Sequence, residues 1–260
     1  PLSGISNTKT ISCNENGYYS IYESDRYGFN NPDSEWNSEK IEYLLVGDSF
    51  THGDCVNRPN DISSVLRKLS NKNVLNLGYG GNGPLLQYAT LREYLNSNVK
   101  KVLWIYFEGN DLENYKYFHN KILINYLEDP KFSQNLKLKQ SKIDKLEKKI
   151  IQQVYSTKLK EDNLSKNIHN FEIIKFLKLS NTRKALIKKK ITSISVEKDL
   201  KKILKLTKNL IDQNNSKFYF VYLPEYNRFT TSYDNSNYNL IKKTLKELDI
   251  TLIDITRSEE

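Results

Sequence analysis

Apolar residues in this chain fall into two alternating rhythms, short unbroken runs and helical stripes. Ile41-Glu42-Tyr43-Leu44-Leu45-Val46 is a run closed by Gly47, Val74-Leu75-Asn76-Leu77 is a second, and Val102 to Phe107 is a third, apolar throughout. Runs of about four to eight residues bounded by glycine fit buried strands better than helices. Between them lie residues at helical spacing. Asp61, a plausible N-cap by residue type, precedes Ile62, Val65, Leu66 and Leu69, spaced as one helical face. Gly83-Pro84 opens a second helix, with proline suited to the first turn and Tyr88, Leu91 and Leu95 as its buried stripe.

From about Glu113 to Ser195 no strand is convincing. Ile143, Leu146, Ile150 and Val154 keep helical spacing among lysines, and Phe171, Ile174 and Leu177 begin another stripe. The first rhythm then resumes: a helix through Leu200, Ile203, Leu204 and Leu210, a strand over 218–223, a helix over 238–248 with Ile241, Leu245 and Leu248, and a strand over 250–255. Helices alternating with apolar strands predict a parallel sheet with right-handed crossovers. The expected fold is α/β: a three-layer α/β/α, flavodoxin-like arrangement of five parallel strands in order 2-1-3-4-5, with a helical insertion after the third strand. In that order the first and third strands meet at the switch point, beyond whose carboxyl ends ligands bind. The expected organisation is an N-terminal extension or hairpin (1–40) packed on the core, an α/β domain (41–112 and 196–260), and a lysine-rich helical insertion (113–195). The insertion reads equally as a cap over a pocket or as a solvated helical hairpin.

Each of the first three strands ends in a small polar or glycine-rich turn. The turns are Gly47-Asp48-Ser49, then Asn76-Leu77-Gly78-Tyr79-Gly80-Gly81-Asn82-Gly83, then Gly109-Asn110-Asp111. Gly-Asp-Ser alone is only a good turn; the three in succession say more. In them the chain resembles the SGNH/GDSL family of ester hydrolases and acyltransferases, closely over residues 41–112 and by pattern alone in the later strands. The resemblance implies Ser49 as nucleophile, with the Gly81 N–H and the Asn110 amide as donors to the oxyanion. Gly47, Asp48, Gly109 and Asp111 support these turns, and Asp48 orders its turn rather than ionising the serine. No cofactor and no metal site is expected, since no Cys or His pair has ligand spacing. A nucleotide-binding reading is weaker, because the run 78–83 lacks a P-loop lysine and no Gly-x-Gly-x-x-Gly follows the first strand.

Charge alters little once located. The chain carries a net +9, but residues 131–190 hold 17 Lys and Arg against 5 Asp and Glu, leaving 23 against 26 elsewhere. The excess belongs to the insertion. With arginine scarce and no basic–aromatic motif, nucleic acid is not an expected partner. The expected partner is a small ester or an acylated saccharide; Tyr18, Tyr19, Tyr22, Tyr27 and Phe29 near the N-terminus read first as half-buried packing, and substrate stacking is the secondary reading that tilts towards a saccharide. Cys13 and Cys55 read either as buried thiols or as a disulfide tying the N-terminal segment to the loop behind Ser49. The disulfide is favoured and implies an oxidising compartment, periplasmic or extracellular.

The general base is the difficulty. In the SGNH family it comes from a late Asp-x-x-His, and this sequence has none. Its histidines are His52, His119 and His169; His52, three residues past Ser49, is expected to point into the flanking loop. Truncation at both ends is the expected explanation, with a possible membrane-proximal segment ahead of Pro1. The alternative is a non-catalytic SGNH-like binding or scaffold module of the cell envelope.

Overall fold

The computed structural model of the chain describes residues 2–15, 17–111, 120–165, 193–229 and 233–257. Seven strands and seven α-helices are named here in chain order. Strands β1 (Lys9–Ile11) and β2 (Ile21–Glu23) form an antiparallel hairpin; β3 (Ile41–Val46), β4 (Val74–Asn76), β5 (Val99–Phe107), β6 (Lys217–Leu223) and β7 (Thr251–Asp254) form one sheet. The helices are α1 (Ser49–His52), α2 (Ile62–Ser70), α3 (Pro84–Tyr94), α4 (Lys121–Glu128), α5 (Gln140–Ser165), α6 (Ser193–Gln213) and α7 (Ser236–Glu247).

The large sheet runs β4-β3-β5-β6-β7, and every pairing in it is parallel. This is the expected order, and the expected flavodoxin-like α/β fold is the fold of the chain. β5 begins three residues earlier than the apolar run suggested. Val99 is buried, while Lys100 is exposed and Lys101 carries its amine out to Glu42 at 2.9 Å. Charged residues at the start of a strand hid its true length.

One face of the sheet carries most of the core, with Leu44, Val102, Trp104 and Phe220 packed against Leu91 of α3, Ile203 and Leu204 of α6 and Ile241 and Leu245 of α7. On the other face Leu45, Val74, Ile105 and Val221 are buried, with Leu66 of α2 packed against them. There Tyr43, Lys101, Leu103, Tyr219 and Ile253 line an open hollow.

The helix expected after Asp61 is α2, but its apolar face is largely exposed. Ile62, Val65 and Leu69 are 37%, 40% and 79% exposed, and Leu66 alone packs inward. The helix faces the protein with polar groups instead. Ser63 is fully buried beside Asn76, and Arg67 donates to the Val74 carbonyl (2.8 and 3.0 Å) and to Asn31 (3.0 Å) and pairs with Glu35 (3.2 Å). Asp61 is the N-cap, accepting from the Ser64 N–H at 3.0 Å.

The N-terminal segment folds on Asp25, a fully buried carboxylate. It accepts from the N–H groups of Tyr27 and Phe29 (2.9 and 3.0 Å), the Asn31 amide (2.8 Å) and the Trp36 indole (2.7 Å). Phe29 and Tyr22 are buried, whereas Tyr18 and Tyr19 stand 48% and 61% exposed. Cys13 and Cys55 are joined in a disulfide with their Cα atoms 5.0 Å apart, which ties this segment to the loop after α1.

Candidate active site

The three motif turns lie at the carboxyl ends of adjacent strands, β3 between β4 and β5. Ser49 is the first residue of α1, and Asp48 is the cap, its carboxylate accepting the Phe50 N–H at 3.0 Å. Position 47 admits only glycine, because a Cβ there would lie 2.0 Å from Thr51 Oγ1 and 2.7 Å from the Ile105 carbonyl oxygen. α1 therefore packs directly over the end of β5.

Buried side chains clamp the turns pairwise. Asn76 joins the first two: its amide donates to the Thr51 carbonyl (2.6 Å) and its carbonyl oxygen accepts the Gly78 N–H (2.8 Å). Gln87 joins the second and third, its amide donating to the Asn82 carbonyl (2.7 Å) and to Asp111 Oδ1 (3.1 Å). The Asn110 side chain acts on the Asp48 carboxyl from the third turn, favouring its charged form. Gly80 closes the set against Ser49: a Cβ on Gly80 would sit 3.9 Å from Ser49 Cβ. Gly81 has φ +76° and open space around it, so conformation rather than crowding calls for glycine. Among the described residues the N–H groups of Ser49, Gly80 and Gly81 make no hydrogen bond and are free to donate.

Two carboxyl groups sit behind the serine. Burial pushes Asp48 above the usual carboxylate range, against the stabilising Phe50 N–H and Asn110 amide. Asp111, whose Oδ2 accepts the Phe107 N–H at 2.9 Å, is pushed well above it by burial and then by the Asp48 charge. Asp111 thus braces the third turn, both its oxygens accepting hydrogen bonds, from Gln87 and from the Phe107 N–H. Gly109 lies in the same turn, and the preceding Glu108 is buried and bound by Arg228 (2.5 and 2.7 Å) and the Glu225 N–H (3.1 Å). Phe50, 46% exposed, stacks on Phe107 with ring centroids 4.1 Å apart, making an apolar shelf next to Ser49.

His52 turns to Asp54 in the flanking loop, as expected, and is buried there. Its Nδ1 is 2.7 Å from Asp54 and its Nε2 is 3.1 Å from the Tyr22 hydroxyl, so both ring nitrogens are engaged away from Ser49. The self-consistent assignment is Nδ1–H donating to Asp54 and the Tyr22 O–H donating to Nε2. Burial pushes Asp54 up, but His52 and Ser12 together outweigh it and hold the carboxyl below its ordinary range. His119 and His169 lie outside the described residues. No group of three or more His, Cys, Asp or Glu that could hold a metal occurs among the described residues.

Asp54, Glu108 and Arg228 were not singled out as site neighbours in the sequence. Asp54 stands only five residues past Ser49, a spacing that could have flagged it. The Glu108–Arg228 pair spans 120 residues, and nothing local announces it.

No protein-family model and no curated protein sequence matches the chain. Solved structures similar to it include a protein described as lipolytic and of the G-D-S-L family from Desulfitobacterium hafniense DCB-2, at 14% identity and TM-score 0.41 over 83% of this chain and 77% of that one. The SGNH-hydrolase family esterase AlinE4 is similar at 8% identity and TM-score 0.39, and a point mutant of it at 10% and 0.42, each over 83% of this chain and 76% of the other. At TM-scores this low the likeness adds nothing to the fold, which rests on the sheet order. That order, with the three motif turns at the ends of its adjacent strands, is the one the SGNH/GDSL resemblance implies, and the chain has that fold.

Proposed function

We propose that the chain is a serine ester hydrolase or O-acyltransferase of the SGNH type. Ser49 Oγ attacks the ester carbonyl, the carbonyl oxygen takes the negative charge, and the alcohol departs with the serine proton. The acyl group is left on Ser49 and then passes to water or to an acceptor hydroxyl. The Gly81 N–H and the Asn110 amide are the donors to the oxyanion, a task for which preorganised groups are worth far more than in water. The observation that carries this reading is the clamping of the second turn to the first by Asn76 and to the third by Gln87. A mere strand-end turn has no use for two neighbouring turns fixed to it. The Phe50–Phe107 shelf supports a small acyl group lying beside the serine. The Cys13–Cys55 bridge supports a periplasmic or extracellular setting, and in such a setting the substrate class proposed is acylated carbohydrate of the cell envelope.

A second reading has its own observation. No described histidine is free to serve Ser49, which favours a non-catalytic binding module on the same fold. An activated aryl acetate separates the two, because its good leaving group needs little help from a base. The chain incubated with it is expected to gain one acetyl group on Ser49 by mass spectrometry, and Ser49→Ala is expected to gain none. Equal labelling of both, or of neither, moves the assignment to the binding module.

A further inference from the structure

Beside the N-terminal hairpin a cavity of about 350 Å³ opens between β1, β2, the Tyr79 turn and α5. Its volume lies within the range of small-molecule sites, about 300–1,000 Å³. Tyr22, Tyr79 and Tyr155 line it, together with Lys9, Thr10 and Glu147. The walls are fixed. α5 is held to the N-terminal segment by Asp144, which accepts from the Ser6 N–H (2.9 Å) and hydroxyl (2.6 Å), and by Gln140, which donates to the Gly4 carbonyl (2.8 Å). Tyr22 is held by its bond to His52, and Tyr79 stacks on the His52 ring at 5.5 Å between centroids.

The lining selects by charge and shape. Glu147 is half-buried and makes no hydrogen bond among the described residues, and burial raises its pKa. Lys9 makes no ion pair among the described residues. A carboxylate and an ammonium on one cavity each disfavour a ligand of their own sign. An alkyl chain would make use of neither group. A neutral ring with one apolar face and a rim of hydroxyls suits all the groups: its C–H face lies on a tyrosine, and its hydroxyls accept from Lys9 and donate to Glu147. We propose that the Tyr22–Tyr79–Tyr155 cavity is a saccharide subsite that takes one neutral sugar ring of a chain whose acylated neighbour reaches Ser49. Tyr79 is the link, since its N–H bonds the Gly47 carbonyl at 3.2 Å and the next residue, Gly80, lies against Ser49. As a substrate subsite the cavity rests on the reading of Ser49 above; its capacity to bind sugar does not.

The test uses the full chain carrying Ser49→Ala, titrated by NMR with maltotetraose and with the β-1,4-linked tetrasaccharide of N-acetylglucosamine. Decanoate and tetramethylammonium serve as controls. Saturable binding of at least one tetrasaccharide is expected, with Kd about 1 mM or tighter, and no saturable binding of either control. Tyr155 stands 66% exposed at the rim, so Tyr155→Ala keeps the fold and is expected to weaken sugar binding about 10-fold. Binding of neither sugar, preference for a control, or affinity unchanged by Tyr155→Ala overturns the proposal. Sugar binding without acetylation of Ser49 in the unmutated chain sinks the catalytic reading and leaves the subsite; acetylation without sugar binding does the reverse.

Discussion

Asp48 and Asp111 are both buried in the turns around Ser49, and among the described residues neither is in a salt bridge. Both have folded-state pKa values raised above the unfolded ones, by burial first. The folded protein therefore binds protons more tightly than the unfolded chain. Stability contributed by these groups is present below the ordinary carboxylate pKa and is lost as pH rises through the raised values. Urea unfolding followed from about pH 4 to 8 is expected to show that decline, and Asp111→Asn to flatten it by removing the buried charge. Asn110 carries a different burden. Asn110→Ala is expected to lower Ser49-dependent turnover by about 10²–10³-fold, the usual cost of one oxyanion donor. That the turns bearing Ser49, Gly81 and Asn110 close three adjacent strands was legible in the sequence, because each follows a short apolar run; the roles of the three residues came from the SGNH/GDSL resemblance alone. The His52–Asp54–Tyr22 network was not, because Tyr22 arrives on a hairpin held by contacts remote in sequence.

Among the elements, α2 shows how an apolar stripe can mislead. Its periodicity is that of a buried face, yet β4 offers it a carbonyl and an asparagine, and Arg67 and Ser63 answer those groups. Arg67→Ala is expected to cost about 1–3 kcal/mol by leaving the Val74 carbonyl without its guanidinium donor and Glu35 without its counter-charge. Leu69→Gln is expected to change stability by no more than about 0.5 kcal/mol. The sheet strands were easier to read, since a parallel strand buried on both faces has few residue types to choose from. At the end of β6 the loop is fixed by Arg228, whose guanidinium grips Glu108 and lies over the Tyr238 ring at 4.3 Å. Arg228→Ala, assayed by chemical denaturation, is expected to cost about 3–5 kcal/mol, because Glu108 would stay buried without its counter-charge.

For the molecule as a whole, the disulfide closes a loop with a sequence separation of 42 residues. Loop-closure entropy gives about 4 kcal/mol for a loop of that size, and the double change Cys13→Ser/Cys55→Ser is expected to lose an amount of that order in urea. β5 governs what remains. It is hydrogen-bonded along both edges, to β3 on one side and to β6 on the other, and the three motif turns hang beyond the ends of the strands it organises. Its amide protons can meet solvent deuterium only when both neighbours have let go, which amounts to unfolding the whole sheet. Those of Gly80 and Gly81, with no partner to release, are free to exchange in the native state. Slow and fast exchange thus lie at opposite ends of one short path, and the turns can keep their N–H groups open to a ligand while the sheet beneath them stays closed.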